Sequence, residues 1–404
     1  MPRRTRALLL ALLAACARAP EDSTVDAVEA VEASEARVVR TDRADLPVAE
    51  LEPEQLTRFR EGDGLFEAVY REVDGLGPAY IRASCSDCHR EDGRGPGVVT
   101  RVVQTSPIGA SLVQAGWSPA SPLGDTERPY VTAGATIPLL FPDGPEIRRT
   151  QRLPPAVFGR GLLEAIADAE IERLARAAAD RDGPVRGRIA RVRLPGASEE
   201  LIGRFGLKAA APTLTDFTAR ALHGDMGLTS PLYPEEAPNP EGLTDDAKPG
   251  VDVTLEDVEL LADYVRMLAL PTRTSARGEG ARLFEEVGCA TCHTPSLRTR
   301  PDYPLAAWAD VDAFVYTDLL LHDMGDGLAD GVREGDAGPR EWRTAPLIGL
   351  RFLPAYLHDG RAPTIAAAIR EHRGPGSEAN DAVAAFDALG DEARRALIEF
   401  VSGL

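Results

Sequence analysis

Two copies of the motif Cys-x-x-Cys-His constrain this chain more than any other feature of its sequence. They occupy positions 85–89 and 289–293, and the 404 residues contain only five cysteines. Two thiols at this spacing can each bond a vinyl group of one porphyrin, and the adjacent histidine then reaches the iron. The pattern therefore predicts two c-type haems. The expected attachment residues are Cys85, Cys88, Cys289 and Cys292, and the expected proximal iron ligands are His89 and His293.

Two other uses of such a motif are a zinc site and a redox-active cysteine pair. A structural zinc ion takes four ligands, and each motif supplies at most three. A thioredoxin-like pair is expected in a βαβ setting, whereas the pattern around both motifs is helical. Haem attachment is therefore the favoured interpretation.

The first residues resemble the signal segment of a bacterial lipoprotein. Three arginines precede a short apolar run at 8–13, and Leu13-Ala-Ala ends immediately before Cys16. We expect residues 1–15 to be removed as a signal peptide. Cys16 would then be lipidated, and residues 16–50 would form a flexible acidic tether. Ala17, in place of Asp, favours an outer-membrane anchor on the periplasmic side. A plain signal peptide with an incidental cysteine is the alternative.

The charge of the chain excludes some partners. Its formal net charge is −19 at pH 7, which argues against nucleic acid and favours a basic partner such as a small cytochrome. No internal run of apolar residues is long enough to span a bilayer. We therefore expect membrane attachment only through the lipid anchor.

Amphipathic helices dominate the pattern, and one helical unit occurs twice. Residues 254–268 carry an apolar stripe behind a Thr254–Asp257 capping box, and residues 391–404 carry a similar stripe. The stripes consist of Leu255, Val258, Leu261, Val265 and Leu268, and of Ala393, Leu397, Phe400, Val401 and Leu404.

Each Cys-x-x-Cys-His motif also follows a short amphipathic segment and precedes a Leu-His pair, at 222–223 and 357–358. This order predicts a mainly α protein made of two cytochrome-c-like domains that arose by internal duplication. The expected boundaries are 51–272 for the N-terminal haem domain and 273–404 for the C-terminal cytochrome domain. Loop insertions at 91–160 and 180–205 enlarge the first domain.

Several sequence blocks carry a resemblance to known families. Tyr356-Leu-His-Asp-Gly-Arg-Ala, followed by an Ala-rich helix, resembles the bacterial dihaem cytochrome c peroxidases. From about residue 60 to the C-terminus, the chain is similar to the dihaem oxidoreductase family of peroxidase-like proteins. The blocks are Gly161-Leu-Leu-Glu-Ala-Ile, Gly203-Arg-Phe-Gly-Leu-Lys, Gly224-Asp-Met-Gly-Leu-Thr-Ser-Pro-Leu, Thr317-Asp-Leu-Leu-Leu-His-Asp-Met-Gly-Asp-Gly-Leu-Ala-Asp-Gly and Glu341-Trp-Arg-Thr-Ala-Pro-Leu.

The resemblance implies a peroxidase-like oxidoreductase. Electrons would come from a small donor protein, such as a cytochrome or a cupredoxin, and pass through one haem to hydrogen peroxide or a similar oxidant at the other. A non-catalytic electron-transfer protein with two haems is the alternative. A more remote alternative is a haem oxygenase that acts on an apolar substrate.

The distal ligands are the least determined part of the site. In the peroxidases that this chain resembles, the distal ligand of the C-terminal haem lies on the helix after the His-x-Gly loop and is usually Met. The matching position here is His372, with Met324 as the second candidate. For the N-terminal haem the candidates are Met226 and His223, while His223 and Asp225 are the candidates for proton transfer.

A calcium ion is a further expectation from the same resemblance. Asp180-Arg-Asp-Gly183 is similar to an acidic calcium loop. The segment offers few of the six or more oxygen ligands that Ca²⁺ takes. A surface turn is the favoured interpretation of this segment.

Overall fold

A computed structural model describes residues 40–404, apart from Arg94, Pro96, residues 105–125, Glu146, residues 244–247 and residues 276–277. The described residues belong to one unit, Val38–Leu404. The signal segment, Cys16 and the tether up to residue 39 lie outside the described residues. Within the described part, no helix is both long and apolar enough to cross a membrane.

Helices supply most of the regular structure, and their starts follow from local sequence. Pro53 occupies the first turn of the first helix, where Glu52 and Gln55 cap each other's backbone. Thr254 and Asp257 form the predicted capping box. The described α-helices are α1 (Pro53–Glu67), α2 (Arg160–Ala165), α3 (Asp168–Asp180), α4 (Leu214–Ala221), α5 (Leu255–Met267), α6 (Glu279–Glu286), α7 (Gly325–Leu328), α8 (Ile365–Glu371), α9 (Asn380–Ala388) and α10 (Asp391–Ser402). A π-helical turn, Leu222–Met226, continues α4.

Short strands pair antiparallel into two-stranded sheets. The described strands are β1 (Ala79–Tyr80), β2 (Val99–Gln104), β3 (Tyr130–Val131), β4 (Ile147–Arg152), β5 (Arg191–Val192), β6 (Leu201–Ile202), β7 (Leu297–Arg298), β8 (Asp312–Ala313), β9 (Leu321–Asp323) and β10 (Glu341–Arg343). The pairs are β1–β3, β2–β4, β5–β6, β7–β8 and β9–β10.

The expectation of a mainly α fold is confirmed in part. The structure is rich in helix, with 34% of its residues helical, but 15% are in strands. The segments predicted to be loop insertions explain part of the difference. Residues 91–160 contain β2, β3 and β4, and residues 180–205 contain β5 and β6. Backbone groups in long segments between helices need hydrogen-bond partners, and antiparallel pairing supplies them.

The two predicted apolar stripes are buried apart from Leu255, which is exposed, and Ala393, which is partly buried. Val258, Leu261 and Leu268 are at most 2% exposed, but Leu255 is 41% exposed because it stands at the first position of α5. In α10 the buried side chains are Leu397, Phe400 and Val401, with Leu404 just beyond.

Two of the close helix crossings, α1 with α5 and α6 with α10, have a glycine at the point of contact. At Gly62 of α1, an added Cβ would stand 2.2 Å from the carbonyl oxygen of Leu260 and 2.8 Å from the Cβ of Tyr264 in α5. At Gly280 of α6, it would stand 2.3 Å from the carbonyl oxygen of Ala396 in α10. Only glycine fits where two backbones approach this closely.

Each crossing brings aromatic rings beside a haem-attachment motif. Phe66 of α1 lies 5.1 Å from the ring of Tyr264 and 6.2 Å from that of His89. Phe284 of α6 lies 5.6 Å from the ring of Phe400 and 6.5 Å from that of His293. The two halves therefore make matching contacts. Their common origin by duplication stays a prediction.

Candidate haem sites

The N-terminal motif lines a cavity enclosed by helices. Cys85, Cys88 and His89 form one part of its wall. Apolar side chains from α1, α4 and α5 complete much of the remainder, namely Phe66, Leu214, Phe217, Ala221, Leu261 and Val265. A largely apolar cavity with a few polar groups is the usual form of a cofactor site.

Three of the four motif thiols have a raised pKa and are neutral in the protein. Burial raises the pKa of Cys85 to about 12, and it raises the pKa of Cys88 and of Cys289 to about 11. All four cysteines of the motifs are free of disulfides. Reactive redox cysteines and zinc ligands depend on a lowered thiol pKa. These neutral thiols instead suit thioether formation.

His89 is available as an iron ligand. Burial lowers its pKa to about 4, so the imidazole is neutral. Its Nδ1 is buried without a hydrogen bond of normal geometry, although the carbonyl groups of Pro155 and Gly93 lie near the ring. A neutral ring without a competing charged partner can give a nitrogen lone pair to a metal.

The π-helical turn after α4 supplies the other polar groups of this cavity. Asp225 and Met226 both line it. Burial raises the pKa of Asp225 to about 6. His223 is not among the lining residues, because its Nε2 donates to the carbonyl of Glu235 (2.9 Å) and its ring packs near Tyr233. The structure thus brings Asp225 and Met226 to the cavity with His89, and it does not bring His223 there.

Three arginines in the same cavity wall were not singled out from the sequence. Arg82, Arg160 and Arg343 line the cavity, where Asp225 is the only carboxylate among the described lining residues. Arg343 donates to the carbonyls of Gly206 and Thr344, and burial lowers its pKa to about 10. The cavity therefore has a surplus of positive charge, which suits the two propionates of a haem. The sequence feature that could have identified Arg343 is the Glu341-Trp-Arg block, which contains it.

The C-terminal motif lies against the aromatic rings of α6 and α10. Cys289 opens a 3₁₀ turn, Cys289–Thr291. The His293 Nδ1 donates to the carbonyl of Tyr316 (3.0 Å), which leaves Nε2 as the nitrogen with the free lone pair. A ligand histidine usually donates its other ring N–H in this way, because the bond fixes the tautomer and the orientation of the ring.

His372 has the same arrangement and lies near His293. It follows α8 directly, and its Nδ1 donates to the carbonyl of Ala368 (2.7 Å). Burial lowers the pKa of His293 to about 4, and a positive charge on His372 would lower it further, so the two rings are close enough to interact electrostatically. Burial also lowers the pKa of His372. The structure therefore brings together two neutral imidazoles, each with a defined tautomer.

Met324, the second candidate, lies between β9 and α7. It forms a backbone bridge with Ser377, whose hydroxyl donates to the carbonyl of His372. Its backbone thus lies close to the segment that carries His372. Met324 stays an alternative ligand for the same iron.

His322 is placed beside the C-terminal motif but cannot bind a metal as it stands. The Cys292 Sγ lies 3.6 Å from its Nδ1, and Cys292, Asp318 and His322 form the one group of potential metal ligands found in the described part of the chain. Both ring nitrogens are occupied, Nε2 by Asp318 (2.9 Å) and Nδ1 by Glu378 (2.6 Å). Burial alone would lower the pKa of His322, but these carboxylates raise it well above its usual value. The ring is a charged imidazolium without a free lone pair.

The surroundings of His358 and of the acidic segment at the end of α3 indicate structural roles for these residues. His358 stacks on Trp342 with ring centroids 4.0 Å apart, which places it in the interior between β10 and α8. Asp180 and Asp182 are exposed at the end of α3, in agreement with a surface turn. Among the described residues, no cluster of metal ligands includes these two aspartates. Calcium at this turn stays a prediction.

The residues of both motifs fit a haem. At the N-terminal site the cavity combines neutral thiols, a neutral histidine and a positive surplus. At the C-terminal site two imidazoles lie near each other with their Nε2 atoms unprotonated. His89 and His293 would hold the two irons, and a bound haem would supply redox-active iron.

Comparisons with known proteins agree with this assignment. The family model described as "Di-haem oxidoreductase, putative peroxidase" matches residues 140–404, which include the C-terminal motif and the Asp225–Met226 turn. The chain is also similar to hydrazine synthase of Kuenenia stuttgartiensis, with 15% identity, a TM-score of 0.41 and 100% of each chain covered. That likeness is too distant to carry an argument. No curated protein matches the sequence.

Proposed function

Because this chain belongs to the di-haem oxidoreductase family, we propose that it is a peroxidase-like enzyme whose two haem sites have different tasks. Electrons from a donor protein arrive at the C-terminal site, and hydrogen peroxide or a related oxidant is reduced at the N-terminal site. The asymmetry of the two sites carries this proposal. A second imidazole, His372, lies near His293, whereas the described lining of the other cavity contains no histidine besides His89.

At the C-terminal site, His293 and His372 would both hold the iron of one haem. Their Nδ1–H groups are held by the carbonyls of Tyr316 and Ala368, so both rings are preorganised. Two strong protein ligands leave no position for an oxidant, which suits electron transfer. An imidazole in place of the Met found in related peroxidases stabilises ferric iron and lowers the potential.

At the N-terminal site, Asp225 is the residue placed to move protons. It lines the cavity, and burial brings its pKa to about 6, close to the range in which a carboxyl group can both accept and donate a proton. Reduction of hydrogen peroxide to two waters consumes two electrons and two protons. In the proposal, Asp225 takes the proton from one peroxide oxygen and delivers it to the other. Met226 is the candidate for a displaceable ligand.

Covalent attachment and cellular location are parts of the same proposal. The neutral thiols of Cys85, Cys88 and Cys289 favour thioether bonds, as in c-type haems. The Leu-Ala-Ala-Cys sequence before residue 17 supports export and a lipid anchor at Cys16 on the periplasmic side. The net charge of −19 favours a basic donor, such as a small cytochrome or a cupredoxin.

Ligand binding and one matched pair of variants test the proposal. Cyanide should shift the spectrum of one haem in the purified protein and leave the other unchanged. Asp225→Asn should reduce peroxide turnover by about 10²-fold or more. His223→Gln is the control, since His223 lies on the same turn and does not line the cavity. If cyanide shifts neither haem, the non-catalytic electron-transfer alternative is correct. If both variants retain full activity, Asp225 does not transfer the protons.

A further inference from the structure

A second cavity is lined by helices that also line the N-terminal haem site through other residues. It has a volume of about 540 Å³, within the range of sites for small organic molecules. Glu164 of α2, Thr213 before α4 and Arg266 of α5 contribute to its wall. The same three helices line the haem cavity through other side chains. This second cavity contains no residue of either Cys-x-x-Cys-His motif.

Four arginines and three carboxylates line this cavity, and the carboxylates are already paired. Burial alone would raise the pKa of Glu164, but hydrogen bonds from Arg266 and the Leu214 N–H lower it overall. The paired ions are Glu164 with Arg266, Asp263 with Arg58, and Asp168 with Arg204. One arginine, Arg300, is left over by this pairing.

Arg300 is held at the cavity without a strong ion pair. Its backbone N–H donates to the carbonyl of Ala165, and its guanidinium lies 5.1 Å from the ring centre of Tyr303. Within the described residues its ion-pair partner is Asp302, at 3.9 Å, and the side chain of Asp302 is 82% exposed. A pair at that distance in solvent contributes little. The charge of Arg300 therefore remains available to a ligand.

The positive charge of Arg300 also acts on a buried neighbour, Arg204. Burial lowers the pKa of Arg204, the carboxylates of Asp168 and Glu164 oppose this, and the positive charge of Arg300 adds to the lowering. Two guanidinium groups thus repel each other at a cavity in a protein whose net charge is −19. An anion bound at Arg300 would be attracted by its charge and would form charge-assisted hydrogen bonds with it.

The other lining residues indicate what kind of anion fits. Ile202, Met267 and Leu305 are each at most 7% exposed and face the cavity together with Leu201 and Pro304. These apolar side chains would cover a hydrocarbon portion, while a guanidinium matches a carboxylate in two hydrogen bonds. We propose that this cavity binds a small organic acid, with its carboxylate at Arg300 and its apolar portion against Met267 and Leu305. The proposal depends on neither haem site.

Calorimetry with hexanoate and hexanol on the haem-loaded protein tests this proposal. Hexanoate should bind, and hexanol should bind at least about tenfold more weakly, because it lacks the charge-assisted hydrogen bonds. Arg300→Ala and Arg300→Gln should each weaken hexanoate binding by about tenfold or more. Arg300→Gln keeps a longer polar side chain than alanine and removes the charge, so it guards against a folding defect in the shorter variant.

Arg298→Ala is the matched control. Arg298 lies two residues earlier and is similarly exposed, but it pairs with Asp310 and Asp312 and does not line the cavity. It should bind hexanoate as the unchanged protein does. The proposal is overturned if hexanoate does not bind at millimolar concentration, if hexanol binds equally well, or if the Arg298 variant loses as much affinity as the Arg300 variants.

Discussion

Replacing Gly62 by Ala should separate the helices that position the N-terminal haem motif. The new Cβ would lie 2.2 Å from the carbonyl oxygen of Leu260, so the helices must move apart by about 1 Å to restore van der Waals contact. Such overpacking costs about 1–3 kcal/mol. Alanine also stabilises a helix interior by about 0.5–1 kcal/mol relative to glycine. The net expectation is a loss of unfolding free energy of roughly 0.5–2 kcal/mol.

Gly64→Ala separates the two contributions. Gly64 lies in the same helix, and an added Cβ there would meet nothing within 4 Å. This variant should gain about 0.5–1 kcal/mol from helix propensity alone. The difference between the two variants cancels that gain and should equal the overpacking cost of about 1–3 kcal/mol. Guanidinium unfolding followed by far-ultraviolet circular dichroism measures it. Equal stability of the two variants would show that α1 and α5 are not in close contact at Gly62.

Three further predictions concern the haems and the anchor. Cys85→Ala combined with Cys88→Ala should halve the covalent haem per chain in a pyridine haemochrome assay, and unchanged haem content would contradict thioether attachment. His372→Gly should convert one haem from low spin to high spin in electron paramagnetic resonance, whereas such a change from Met324→Ala alone would assign the ligand to Met324. Cys16→Ser should release the protein from the membrane fraction, and unchanged fractionation would rule out the lipid anchor.

Sequence periodicity predicted the helices that pack against the haem motifs. The buried stripe of α5, its capping box and the stripe of α10 were all predictable, because burial of one helical face imposes a 3.6-residue period. The glycines at the crossings carried a readable signal as well, since each stands four residues before the phenylalanine that faces the motif histidine. Most of the small sheets were missed because their strands of two or three residues are too short to show alternation, and the six-residue pair β2–β4 was missed because it lies in a segment that was interpreted as a loop insertion.

The roles within the 222–226 turn could not be derived from sequence. His223, Asp225 and Met226 are close in sequence, and an ordinary helix would place them by its regular period. The chain forms a π-helical turn here, which changes the direction of each side chain. His223 turns to the carbonyl of Glu235 while Asp225 and Met226 line the cavity. Only the backbone geometry therefore distinguishes Asp225 and Met226, which line the cavity, from His223, which does not.

Electrostatics explains why the histidines near the C-terminal motif have different roles. His322 is buried and His372 is partly buried, and both lie near the C-terminal motif. His322 lies between two carboxylates, Asp318 and Glu378, and is therefore charged. His372 meets a backbone carbonyl, which accepts one hydrogen bond and leaves the ring neutral. A protonated imidazole cannot bind iron, whereas a neutral one with Nδ1 held can. The hydrogen-bond partner of each ring therefore decides its role, and no spacing in the sequence reveals that partner. His372 can be the ligand, whereas His322 can only orient the groups around Cys292 or place a positive charge beside them.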